Sequence, residues 1–324
     1  MKRFFAGTVA IAFAALLLAP DTSQAQLLQQ PVRIVFPFAA GGGGDALARL
    51  LAEELRKGIN RNVIVENKTG AGGQAGTFEV VNATPNGDTL LLTPIAPVAL
   101  HQNIYKNLRY DPIKDLKPVA LIADFEFAIA VGPSVPAKTL AELVAWLKAN
   151  PKQATYGTPG AGALPHFFGV LFSKAIGVDM VHVGYRGSSV ALIDLISGQI
   201  PIVITTTSDL LENYKDGKIR ILATSDNKRS PLVPEVPTFK ELGYNIEGTA
   251  WYGIFAPAKT PDEVIERYSK ILSDAVKTDA MKARLLTLGL YARGSTPAEL
   301  GKLQKEHADR WQPAIEASGF KPEN

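Results

Sequence analysis

Apolar residues along this chain gather in short runs instead of alternating with polar ones. Residues 32–36, 62–67, 89–93 and 121–131 form the first set of runs, and 154–156, 181–183, 200–205, 219–223 and 251–257 continue it. Runs such as Ile34-Val35-Phe36 and Leu90-Leu91-Leu92 predict strands covered on both faces, the habit of parallel sheets flanked by helices. Between the runs, apolar spacing predicts helices over 46–57, 77–82, 140–149, 167–176 and 190–197. Thr139 suits the N-cap of one of them, with Glu142 completing a capping box. After the strand at 251–257, Thr260 suits an N-cap and Pro261 the first helical position, and helices near 279–288 and 297–318 follow. Three helices with one strand make a poor domain alone, so the tail is expected to return to the first β-α-β-α-β unit. The pattern predicts an α/β chain of two lobes, each a mostly parallel sheet flanked by helices. Residues 26–128 plus 251–324 make the first lobe and 129–250 the second, with crossing segments near 127–131 and 248–254.

The start of the chain reads differently. Lys2 and Arg3 precede an apolar stretch over 4–19 and then Ser23-Gln24-Ala25, a small-x-small cleavage pattern. A signal peptide over 1–25, cut near Ala25, is therefore expected, leaving a secreted, soluble chain from Gln26. About 299 of the 324 residues remain, enough for one large domain or two medium ones with a core of their own. The absence of cysteine removes disulfides, a lipidated N-terminal cysteine and any thiol nucleophile. The formal charge of +3 falls to +2 without Lys2, Arg3 and Asp21, and both signs are well mixed. No lysine or arginine stripe marks a nucleic-acid surface. The four histidines, at 101, 166, 182 and 307, lack metal-ligand spacing, so neither nucleic acid nor a metal is expected.

Two glycine-rich turns carry the candidate chemistry. Pro37-Phe38-Ala39-Ala40-Gly41-Gly42-Gly43-Gly44-Asp45 joins a predicted strand to a predicted helix, and Tyr156-Gly157-Thr158-Pro159-Gly160-Ala161-Gly162-Ala163-Leu164-Pro165-His166 does the same later. Without Cβ atoms, successive amides can face one point where the following helix dipole is positive, which makes an anion cradle. Two cradles predict a ligand held from both ends. A carboxylate entering such a cleft loses water and must be met by several donors, each worth about 1.5–3 kcal/mol. Three or four amides and a hydroxyl would sustain roughly micromolar binding without a buried arginine.

These turns, with Val65-Glu66-Asn67-Lys68-Thr69-Gly70-Ala71-Gly72-Gly73, Pro85-Asn86-Gly87-Asp88-Thr89-Leu90, Tyr185-Arg186-Gly187 and Trp251-Tyr252-Gly253-Ile254-Phe255-Ala256-Pro257, occur in an order that resembles the Bug-type receptors of tripartite tricarboxylate transporters. The resemblance spans nearly the whole mature chain. It implies a type II periplasmic-binding-protein fold whose lobes close on a small organic acid, which passes to membrane permease subunits or to a sensor kinase. It implies a periplasmic location, no cofactor, and a monomer as the family-like state. It also implies that Phe38, Ala40, Gly41, Gly42, Gly43 and Asp45 meet one end of the ligand, partly through water. Thr158, Gly160, Gly162 and Ala163 would bind a carboxylate at the next helix, and Pro94, Ala96, Gly187, Ser188 and Ser189 would complete the walls. The family often has a polar residue at Ala161, Ser or Thr at Ala163 and Leu164, and Asp at Thr205, itself counted in the site. These departures favour an aromatic or partly apolar carboxylate over citrate.

Several residues keep two readings. Asp45 could accept from a ligand or cap its own helix. His166 could touch the ligand or be structural, Arg186 could point inward or lie on a solvated rim, and Trp251 and Tyr252 could be core or cleft wall. Gly41-x-Gly43-x-x-Ala46, with Glu66 about twenty residues on, also fits a relaxed dinucleotide fingerprint and so a cofactor-using enzyme. The export signal and the absence of a catalytic pair or a Gly-x-Ser-x-Gly elbow argue for a binding protein instead.

Overall fold

The structure is a computed structural model that describes residues 30–320, apart from the side chains of 314 and 317; the expected signal peptide lies outside the described residues. β1 (Val32–Phe36), α1 (Gly43–Ile59), β2 (Val63–Asn67), α2 (Gln74–Val81) and β3 (Thr89–Pro94) form the first unit, with β1 parallel to both β2 and β3. A π-helical turn over Ala96–Leu100 runs into the one-turn α3 (His101–Ile104), and β4 (Leu116–Val131) follows. The second unit is α4 (Leu140–Ala149), β5 (Thr155–Thr158), α5 (Leu164–Ile176), β6 (Val181–Gly184), α6 (Ser188–Ser197), β7 (Ile202–Thr206), α7 (Thr207–Lys215) and β8 (Arg220–Thr224). β9 (Thr249–Pro257), α8 (Asp262–Lys277), α9 (Asp279–Thr287), β10 (Tyr291–Ala292) and α10 (Pro297–Ser318) complete the chain.

The strands are ordered β2-β1-β3-β9-β4-β7-β5-β6, with β8 and β10 also pairing to β4. β9 lies antiparallel between β3 and β4, so the tail comes back to the first sheet. β4 belongs to both sheets: residues 116–126 pair with β9 and residues 127–131 with β7. The sheets are thus parallel away from the crossing strands and antiparallel beside them. β1 buries Val32, Ile34, Val35 and Phe36, consistent with cover on both faces. α1 turns Leu47, Leu51 and Leu55, spaced four apart, onto the core and stops at Asn60, whose φ of 53° is left-handed. Buried Gln304 on α10 donates to the carbonyls of Val98 (2.8 Å) and Pro112 (3.1 Å), which fixes the turn after β3.

Helix starts show where apolar spacing falls short. α1, α5 and α6 begin at Gly43, Leu164 and Ser188, two or three residues before the expected starts; the first turns of α1 and α6 are glycine, aspartate or serine and draw no apolar pattern, while Leu164-Pro165-His166 reads as the end of the glycine turn. α8 begins at Asp262 with Pro261 as its N-cap, so Thr260 is not the cap; its carbonyl accepts from Lys117 Nζ at 3.0 Å. Thr139 does cap α4, accepting from the Glu142 amide at 3.2 Å. The Glu142 carboxylate accepts from the Lys138 amide (2.7 Å) instead of the Thr139 amide, so that capping box stays open. The closed box is at α10, between Thr296 and Glu299.

Candidate functional site

The carboxyl ends of β1, β3, β5 and β7 meet where the helices after them begin, the usual place for a ligand in an open α/β sheet. They enclose a cavity with about 50 Å³ of space for water centres. At about 10–15 Å³ per water this is roughly four waters, or about 120 Å³ of liquid, the scale of one small organic acid. Five aromatic rings, Phe36, Phe38, Phe125, Phe127 and Tyr252, make much of its wall. Phe125 stacks on Tyr252 with centroids 4.5 Å apart and meets Phe127 edge-on at 5.3 Å, so the wall is packed in place. Among the described residues, no lysine, arginine or histidine lines it.

Six of the expected contacts lie on this wall: Phe38, Gly42, Pro94, Ala96, Ala163 and Ser188. Several of the others make bonds within the protein. In the first glycine run two amides are already taken, the Gly41 amide donating to Asp45 Oδ2 (3.1 Å) and the Gly43 amide to Asp209 Oδ1 (2.6 Å). Gly44 is glycine for packing, since a Cβ there would stand 2.4 Å from the Phe36 ring. Asp45 is buried and also accepts from Arg49 and from Asn67 Nδ2, all at 3.1 Å. Burial would raise its pKa, but the Arg49, Gly41 and Asn67 donors outweigh that and hold it below the usual value.

In the second run, Thr158 Oγ1 donates to the Gly160 carbonyl (3.1 Å) and lies 2.7 Å from His182 Nε2. Gly162, at φ 73°, donates its amide to His166 Nδ1 at 3.2 Å. His166 stacks on His182 with centroids 3.8 Å apart. Burial pushes His166 down to about 4; burial, then the neighbouring His166, pushes His182 down to about 3, so both rings are neutral braces behind the turn. Gly160 packs on Gly72, whose Cα a Cβ would approach to 3.0 Å. At the start of α5 the Ala163 and Leu164 amides have no acceptor among the described residues, and α5 has no side-chain cap; the Gly42 and Gly44 amides on the same wall are likewise without one.

A third group forms a seam between the lobes. The Ala39 amide donates to the Arg186 carbonyl (2.9 Å), Ser189 Oγ donates to the Ala40 carbonyl (2.9 Å), and Gly187 lies against Ala39. Arg186 itself is exposed on the rim. Thr205 is buried behind the wall, 2.7 Å from Ser188 Oγ, and donates to Asp209 Oδ2 at 3.3 Å. Trp251 is core, whereas Tyr252 is wall. Phe36, Phe125, Phe127, Thr206 and Asp209 escaped the sequence reading. Only Asp124-Phe125-Glu126-Phe127 left a trace, as alternation inside an otherwise apolar run.

The chain matches the model of the tripartite tricarboxylate transporter family receptor over residues 47–320. A UPF0065 protein in the TAR-I ttuE-ttuC' intergenic region of Agrobacterium vitis is 35% identical over 317 residues, which are 96% of this chain and 91% of that protein. The structure of the periplasmic binding protein BugD aligns with a TM-score of 0.86 at 31% identity, covering 90% of this chain and 99% of BugD. That of R. palustris Rpa4515 with adipate aligns at 0.87 and 27% identity, covering 90% and 98%.

Proposed function

The chain belongs to the tripartite tricarboxylate transporter receptor family, the Bug-type periplasmic binding proteins, and from that premise we propose that it holds a small organic carboxylate in the cavity between its lobes and delivers it to the permease of such a transporter. The observation that carries this is the pair of open amides, Ala163 and Leu164, at the start of α5 on the wall of a cavity that no cation lines among the described residues. A carboxylate there meets two donors and the positive end of a thirteen-residue helix. The five rings take an apolar body, which favours an aromatic or partly apolar acid. The role is binding without catalysis, in the periplasm after cleavage near Ala25, and as a monomer.

In this proposal residues 26–128 plus 251–324 and residues 129–250 are the lobes, hinged near 127–131 and 248–254. The contacting residues are the six expected ones on the wall together with Phe36, Phe125, Phe127, Thr206, Asp209 and Tyr252. Ala40, Gly43, Gly187 and Ser189 serve closure in this reading, through the contacts that they make across the seam.

A thermal-shift screen of mono-, di- and tricarboxylates on the chain from Gln26 tests this. A ligand at 100 times its Kd adds about 2.7 kcal/mol. At about 2.1 cal/mol/K per residue the unfolding entropy is roughly 0.6 kcal/mol/K, so the midpoint rises by about 4 °C. Flat curves across aromatic and aliphatic acids, or saturable binding of NADH, would overturn it.

A further inference from the structure

The N-termini of α1, α5, α6 and α7 all reach the cavity wall, and at α1 the protein supplies a carboxylate of its own. Asp209, third residue of α7, sends Oδ1 to the Gly43 amide at the start of α1 and accepts from Thr205 Oγ1 at Oδ2. Its own amide is held by Thr206 Oγ1 at 3.3 Å. The glycines opposite make room for it: a Cβ on Gly42 would stand 3.2 Å from Asp209 Oδ1, and one on Gly43 3.3 Å. The first glycine run is thus shaped around an internal carboxylate, and that carboxylate is part of the cavity wall.

We propose, resting on the receptor reading above, that Asp209 sets the ligand class: an acid with one carboxylate, bound at α5, and a hydrogen-bond donor such as a hydroxyl or amino group at the Asp209 end. At the positive end of α1 the Gly43 amide is already taken by the Asp209 carboxylate, and among the described residues no cation on the wall would balance a second ligand anion there. A dicarboxylate that reaches α5 with one end therefore brings its other charge toward Asp209, in a space with little water to screen it. A hydroxyl or ammonium at the same place donates to the carboxylate and meets no like charge. The aromatic wall fills the interval between the two ends.

Isothermal titration of the chain from Gln26 with matched pairs tests this: 4-hydroxybenzoate against terephthalate, and 6-hydroxyhexanoate against adipate. The unsubstituted protein is expected to favour the hydroxy acid at least tenfold in at least one pair. Asp209→Asn, checked by melting for retained fold, is expected to shrink that preference at least tenfold, through tighter binding of the diacid. Equal affinity for both members of each pair in the unsubstituted protein overturns the inference and leaves the receptor reading standing; that comparison needs no variant. An unchanged preference in Asp209→Asn also overturns it. Binding of neither member of either pair, together with a flat carboxylate screen, overturns both.

Discussion

Glu126→Gln should stabilise this protein, and by more at pH 8 than at pH 5. Glu126 stands on β4 where pairing passes from β9 to β7, and it is 1% exposed. Its Oε1 accepts a long bond of 3.4 Å from the Tyr291 hydroxyl, and Oε2 has no partner among the described residues. Burial pushes its carboxyl up from 4.5 to about 7; the nearby Asp226 charge adds to this, and the Ser230 and Tyr291 hydroxyls pull it back. A raised acid binds its proton more tightly when folded, so its stabilising effect is full below the unfolded pKa and fades as pH rises toward 7. A shift of this size is about 3 kcal/mol, of which about 2.5 is lost between pH 5 and pH 8. With roughly 0.6 kcal/mol/K of unfolding entropy, Glu126→Gln should melt about 5 °C above the parent at pH 8 and about 1 °C above it at pH 5. Paired melts by circular dichroism measure the gap. Asp124, raised to about 6 by burial against the opposing pull of Arg293, and the buried histidines titrate in both proteins and cancel. A gap that does not change with pH would refute the reasoning.

Two further substitutions test the packing behind the cavity. Gly169→Ala places a Cβ 2.0 Å from the ring of Tyr156, which is fully buried and donates to the His166 carbonyl, so the ring cannot swing aside. A loss of about 1–3 kcal/mol is expected, read from the urea midpoint, and an unchanged midpoint would show that β5 and α5 can part there. Phe127→Ala removes a ring that meets Phe125 and Phe168, each at 5.3 Å, and should cost about 3–5 kcal/mol. It should also weaken binding of aromatic carboxylates more than of short aliphatic ones in titration; equal weakening would take Phe127 out of the contact surface.

The apolar runs of β1, β3, β7 and β9 were legible because burial on both faces leaves an unbroken signal in the residues themselves. The glycine runs were legible as turns for a similarly local reason. Their bonding was not: Gly43 and Asp209 are 166 positions apart, and nothing near either one marks the other as its partner. The same holds for the contact between Phe125 and Tyr252: Tyr252 could be read as cleft wall, but nothing in either segment marks the other as its partner until β4 and β9 pair and stack the two rings. His166 and His182, scattered by position, become one neutral stack only when β5 and β6 lie side by side. β10 is two residues long, too short to leave any pattern.

That β4 runs unbroken from one sheet into the other has a consequence for dissection. Each sheet uses part of the same strand as an internal member, and the first sheet also combines β1, β2 and β3 with β9 and β10 from much later in the sequence. A cut near residue 128 strips each half of a neighbour it needs, so neither half can be lifted out as a module. The two halves should therefore melt in one calorimetric step.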